Sequence, residues 1–226
     1  MNTDNNNNGH RQRLCDNFLK SGLEGFYDYE IIELLLTRGT SRKDCKSIAK
    51  ESLKIFKTLS GALGANPKYL KKNKGKGDNN IFGLKIAQAV GGSFLSEEIL
   101  NKDFIRSSDE VINYLKYNLR DKNREVFLVI YLNGRNQILK MENLFEGTLS
   151  TTAEYQREVV SRALDNNAAA LIFVHNYPSG NPNPISDDLT ITKKLKEATK
   201  SIDISVHDHL IIAGDETYSF ADHGIL

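Results

Sequence analysis

The sequence predicts an α/β protein in which a mixed sheet flanked by helices follows a small all-helical unit. Three observations carry this. Apolar residues recur at three- and four-residue intervals from Arg11 to Leu100. Beyond Asp103, short β-branched and aromatic runs such as EVFLVIYL and AAALIFV alternate with helical segments. Turn residues, Asn133-Gly134 and Gly214-Asp215, then connect neighbouring strand-length runs.

The chain has 226 residues, 39% hydrophobic and 26% charged, with a formal net charge of +1. These are ordinary globular values, which set aside wholesale disorder and fibrous architectures. No uninterrupted apolar stretch approaches a membrane span, and the N-terminus lacks the apolar centre of a secretory signal. Two cysteines, Cys15 and Cys45, are too few for a disulfide scaffold or a Cys-rich zinc module and read as small core residues. A soluble cytoplasmic protein with no membrane partner is expected. The charge is divided: residues 1–100 hold 16 basic and 11 acidic side chains, a balance of +5, and residues 101–226 hold 14 and 18, a balance of −4. Such asymmetry suggests two units with different surfaces; on charge alone, scattered solvated side chains account for it better than a polyanion preference in the first.

Residues 1–10 form an Asn-rich tail that buries too little surface to order itself. The helical unit, 11–100, contains a helix capped by Asp28 that carries Ile31, Ile32, Leu34, Leu35 and Leu36. Ser41 precedes a second, with Cys45, Ile48, Ala49, Leu53 and Phe56 on one face. NPKYLKKNKGKG, residues 66–77, interrupts the pattern with five lysines. A further helix with Leu84, Ile86, Ala87 and Val90 then ends at Gly91-Gly92. This outlines a helix-hairpin-helix, whose glycines (Gly75, Gly77) let backbone N–H groups approach a phosphate while Lys74 and Lys76 add charge. DNA is the partner such a loop would take; a solvated Lys-rich connection is the alternative.

The second unit, 103–226, opens with a helix capped by Ser107 or Ser108 and holding Val111, Ile112, Tyr114, Leu115 and Leu119. Glu125–Leu132 reads as a buried strand and Gln137–Leu144 as its hairpin partner. A helix over Glu154–Leu164, a strand over Ala168–Val174, and a helix over Ser186–Ser201 with Leu189, Leu195 and Ala198 inward follow. Ile204–Ala213 and Thr217–Phe220 close the sheet, and His207 and His209 share one strand face by their spacing.

Chemistry concentrates in Val174–Asp188, VHNYPSGNPNPISDD. A buried strand ends in His175, a Pro-stiffened loop follows, and Asp187 and Asp188 open the next helix. Imidazole and carboxylate meeting at a strand end suit a divalent metal. From spacing alone, a His at a strand edge beside acidic first-turn residues explains the pattern better, since two ligands do not make a site.

The stretch resembles the signature of RadC-like (UPF0758) proteins, whose C-terminal domain belongs to the MPN or JAB (JAMM) superfamily of zinc metallohydrolases, with a cytidine-deaminase-like mixed sheet. That pattern runs His-Asn-His-Pro-Ser-Gly, with ten residues between the second His and an Asp. Here His175-Asn176-Tyr177-Pro178-Ser179-Gly180 fills its first part, and Asp188 lies at the matching distance from Tyr177. Phe145–Leu149, Arg157–Val160, Asn167–Ala170, Asp208–Ile211, Asp28–Leu35 and Arg42–Asp44 extend the resemblance over most of the chain.

The resemblance implies zinc held by His175 and Asp188, Glu125 as general base on a metal-bound water, and hydrolysis of a peptide or isopeptide bond. A solvated charge at a strand entrance is the alternative for Glu125. Two positions depart from the pattern. Tyr177 stands where the second ligand His belongs, and a neutral phenol is a poor zinc ligand. Ile185 stands where a Ser hydroxyl would help position water or an oxyanion. The expectation is therefore an altered metal site, weak or inactive, with His207 as a conceivable replacement ligand and His209 structural. The alternative function is a noncatalytic DNA-associated binding or scaffolding protein, with an exposed strand edge for a peptide or protein.

Overall fold

The computed structural model describes residues 4–37, 45–72, 78–147 and 152–226. The chain forms two compact units, Met1–Gly91 and Gly92–Leu226.

The first unit is helical: α1 (Asp4–Ser21), α2 (Asp28–Thr37), α3 (Lys46–Phe56), α4 (Leu59–Gly64), α5 (Pro67–Lys72) and the start of α6 (Asp78–Ile99). Ile32, Leu36, Cys45, Ala49, Ala62, Leu70, Ile81 and Leu84 make its core. Both helices predicted from periodicity are present, with different caps. Asp28 is already helical, and the Glu30 carboxylate accepts the Tyr27 N–H at 3.1 Å in its place. Cys45 directly precedes α3, and Ser41 lies outside the described residues. The segment expected to be a disordered tail is helical from Asp4 on, as an extension of the Arg11–Leu19 turns, where each added residue gains a backbone hydrogen bond without a new nucleus. Its His10 Nε2 lies 3.1 Å from Glu33 Oε1, a carboxylate buried on the inner face of α2.

The basic interruption is itself helical over α5, while Lys74, Gly75, Lys76 and Gly77 lie outside the described residues. Gly91-Gly92 does not end α6, which continues to Ile99. A Cβ on Gly92 would come within 3.0 Å of Asn118 Oδ1, so the glycine serves close packing rather than termination. Ile86 and Val90, two of the apolar positions of the helix, are exposed. Leu84 and Ile81 fill the inner face instead, because Gly83 lets α6 approach the Leu35 carbonyl.

The second unit is a five-stranded mixed sheet with helices on both faces. Its elements are α7 (Ser108–Leu119), β1 (Val126–Leu132), β2 (Ile138–Glu146), α8 (Thr152–Asp165), β3 (Ala170–Asn176), α9 (Ser186–Lys200), β4 (Ser205–Ala213) and β5 (Glu216–Ser219). Strand order is β2-β1-β3-β4-β5; β3 and β4 are parallel and the other neighbours antiparallel. Every residue of β1 and β3 is buried. Their alternate side chains feed two cores, one with Val111, Leu115 and Leu119 of α7, the other with Tyr155, Val159 and Ala163 of α8 and Ile191 and Leu195 of α9.

Two local expectations are corrected. The β1–β2 hairpin forms, but Asn136 takes the positive φ of 59°, while Asn133 Oδ1 accepts the Arg135 and Gln137 N–H groups. The loop is therefore longer than a two-residue Asn-Gly turn. Leu189 is 42% exposed rather than inward. Asp188, Ile191, Thr192, Leu195 and Thr199 form the inner face of α9, so the helix turns a carboxylate and two hydroxyls toward the sheet.

A Cβ added at Gly83 would lie 2.6 Å from the Leu35 carbonyl oxygen, closer than packing allows. Gly83→Ala gains about 1 kcal/mol in helix propensity, yet overpacking costs about 1–3 kcal/mol. The substitution is expected to lower the urea midpoint; an increase would show that the two helices can separate freely.

Candidate functional site

The site lies where β3 ends and α9 begins. Hydrophobicity drives β3 through the middle of the sheet, so its final residues arrive buried whatever their polarity. His175 is 8% exposed and sits opposite Phe127 of β1 and beside Ile211 of β4. The Tyr177 N–H, donating to Ile212 O at 2.8 Å, prolongs the pairing by one residue. The loop from Pro178 then returns to α9, whose first turn carries Asp188 back against the strand end.

Four side chains join in one chain of contacts. Thr192 Oγ1 donates to the Asp188 carbonyl at 2.5 Å and lies 2.6 Å from His209 Nδ1. His209 Nε2 lies 2.8 Å from His175 Nδ1. With the hydroxyl proton given to Asp188 O, Thr192 accepts from His209 Nδ1–H, and His209 Nε2 then accepts from His175 Nδ1–H. This leaves His175 Nε2 as a bare lone pair. It is buried, has no hydrogen-bond partner, and faces Asp188 Oδ1 at 3.3 Å. Asp188 Oδ2 is occupied separately: the Tyr177 hydroxyl donates to it, and so does the Ile185 N–H at 2.8 Å.

Burial keeps both imidazoles neutral. It lowers His175 below the usual histidine range against the opposing pull of Asp188, and lowers His209, which is fully enclosed, much further. Ion-pair distance alone would charge His175, but the desolvation of a ring this deep outweighs a carboxylate already holding two donors. Burial first, and the Asp188 hydrogen bond second, raise the Tyr177 hydroxyl, so it remains a neutral phenol.

The predicted residues divide into three groups. His175, Tyr177 and Asp188 converge. Glu125 lies one residue before β1, exposed, in a cleft of about 430 Å³ lined also by Asn123, Arg124, Gly147 and Pro178. Its charge is close enough to raise the Tyr155 and Tyr177 hydroxyls, but among the described residues no hydrogen bond ties its carboxylate to the histidine cluster. Lys74, Gly75, Lys76 and Gly77 lie outside the described residues. His207 is no replacement ligand: it is exposed, with Nε2 2.8 Å from Asn136 Oδ1. A register shift between Leu171 and Ile172 places a bulge in β4, so His207 and His209 lose the shared face that their spacing implied.

Two positioning residues, Asn176 and Thr192, had no role assigned from the sequence, and His209, expected to be structural, is the third. Asn176, buried, accepts the Val126 N–H at 2.8 Å and donates to Arg124 O at 3.2 Å, and so brackets Glu125 from both sides. Thr192 and His209 hold His175 in its tautomer. Thr192 lies four residues after Asp188, a spacing that puts both on one helix face; the His209 link needed the register of β3 against β4.

The donor set can be compared with zinc. A separation of 3.3 Å between His175 Nε2 and Asp188 Oδ1 matches two ligands of one tetrahedral ion with bonds of about 2.0–2.1 Å. The bare lone pair is the ligating tautomer, held by a partner on its other nitrogen. The set stops there: among the described residues no three His, Cys, Asp or Glu side chains converge. A catalytic zinc takes three protein ligands, and these residues do not supply them.

Acid should break the imidazole chain, because protonated His209 would point N–H at N–H. Both rings have folded pKa values below their unfolded value near 6.5, so their contribution to stability is complete above that pH and declines as pH falls below it. The urea midpoint should therefore drop between about pH 7 and 5. His209→Gln should weaken the protein at neutral pH and flatten that profile; an unchanged slope would place the titration elsewhere.

Residues 105–225 match the family model of the RadC-like JAB domain. A UPF0758 protein of Nitrosospira multiformis is 36% identical over 95% of this chain and 96% of its own length. UPF0758 proteins of Fusobacterium nucleatum and Ruegeria pomeroyi are 34% and 35% identical, covering 97% and 96% of this chain and 98% and 97% of their own. No described helix is long and apolar enough to cross a membrane. With a matching domain model and relatives aligned nearly end to end, the chain belongs to the UPF0758 family of RadC-like JAB-domain proteins.

Proposed function

We propose that the second unit is a zinc-hydrolase-type JAB domain whose metal centre is reduced to two ligands, and that this chain binds a peptide or protein rather than cleaving one. One observation carries the reading: Tyr177 stands at the third ligand position and spends its hydroxyl proton on Asp188 Oδ2. The phenol stays protonated, and the carboxylate is partly satisfied without any metal. Two remaining donors leave most of a zinc sphere to water, so the ion would bind too weakly to activate a nucleophile. Glu125 then has no metal-bound water to deprotonate, although Asn176 still holds its backbone in place. The nine-residue β2 lies at the sheet edge, a fit for strand addition by an extended chain.

Metal analysis of protein purified without chelator tests this. Wild-type protein should contain well below one zinc per chain and show no peptide hydrolysis. Tyr177→His should raise zinc occupancy toward one, because the other two ligands are already placed. Stoichiometric zinc in the wild type, lost on His175→Ala or Asp188→Ala, together with hydrolysis abolished by Glu125→Gln, would overturn the proposal.

A further inference from the structure

Among the described residues, helix α6 carries a row of exposed large apolar side chains. Phe82, Ile86, Val90 and Phe94 are 65%, 47%, 62% and 61% exposed. They recur every four residues on one continuous helix, and exposed Ala89 and Ser93 fill the same face between them. Scattered exposed apolar residues need no explanation, but a row of four on one helix does. The face carries no charge over these turns. The helix's lysine, Lys85, is turned away, donating to Leu63 O at 2.5 Å and Gln88 Oε1 at 2.9 Å.

We infer that this face pairs α6 with α6 of a second copy of the chain in an antiparallel dimer. The arrangement of the row selects that occupant. It is symmetric about residue 88: Phe82 and Phe94 lie six residues to either side, and Ile86 and Val90 two. Antiparallel pairing across a twofold axis at that level brings Phe82 against Phe94 of the second copy and Ile86 against Val90, large with large at the ends and branched with branched at the centre. Ala89 and Ser93 let the backbones approach between these contacts. Self-complementarity of one patch is what an isologous interface requires. A charged partner would find no counter-charge on this face, and a copy needs none.

The area is modest. An aromatic side chain buries about 150–250 Å² when fully covered and Ile or Val less, so these four expose on the order of 400 Å² per copy. A standard interface takes about 800 Å² per partner, which puts this dimer at the small end, with dissociation in the micromolar range.

Light scattering coupled to size exclusion, over loading concentrations up to about 100 μM, tests the inference on the full-length protein. The wild type should shift from monomer to dimer mass as concentration rises. Val90→Glu and Phe82→Ser should each weaken the dimer at least tenfold while keeping the wild-type circular dichroism and melting temperature; having both variants guards against a misfolded single case. Leu164→Glu, which charges an exposed leucine on α8, should dimerise normally. A wild type that stays monomeric throughout, or a dimer unaffected by both α6 substitutions, would overturn the inference.

Discussion

The hydrogen bond between His175 Nδ1 and His209 Nε2 organises the polar interior of the second unit. It joins two parallel strands at the point where the apolar strand β3 acquires polar side chains, and it has to be made because the His209 ring is fully enclosed. Phe127, Phe173 and Phe220 surround His209, with ring centroids 4.9–5.9 Å away. An unpaired imidazole there would carry the full desolvation cost of its nitrogens. Thr192 closes the chain at one end, and the other end is the bare nitrogen of His175.

Asp208 anchors the same strand. Its buried carboxylate accepts from the His209 N–H at 2.7 Å, from Ser219 Oγ at 2.6 Å and from the Ala221 N–H at 2.9 Å. The β4 bulge immediately precedes it. Bulge, carboxylate and β5 together set how far His209 reaches under His175. Because burial also raises the Asp208 pKa, these three donors offset a real cost. Asn176 extends the same logic to β1 by tying its entrance to the end of β3.

Within this frame Tyr177 is held by a ring contact and a hydrogen bond. It packs edge-on against His175, with ring centroids 4.9 Å apart, and gives its proton to Asp188. That hydrogen bond ties the end of β3 to the first turn of α9.

Much of this was legible from residue order. Unbroken apolar runs located β1 and β3 and helical spacing located α7, since these elements answer chiefly to burial, and the short stretch from His175 to Asp188 carried the site. The failures share a cause. Ile86 and Val90 are exposed: amphipathic spacing says that a face is apolar, not that anything lies against it. Leu189 read as inward because hydrophobicity ranks it above Asp188, yet Asp188 turns inward toward His175 and Tyr177. His207 and His209 read as one face because alternation assumes a ladder without a bulge. Local sequence specifies which segments must leave water and by which period. Which face of α9 turns inward, which tautomer His175 holds and which histidine lies beneath it depend on contacts between residues 17 to 34 positions apart, and those exist only once the strands have paired.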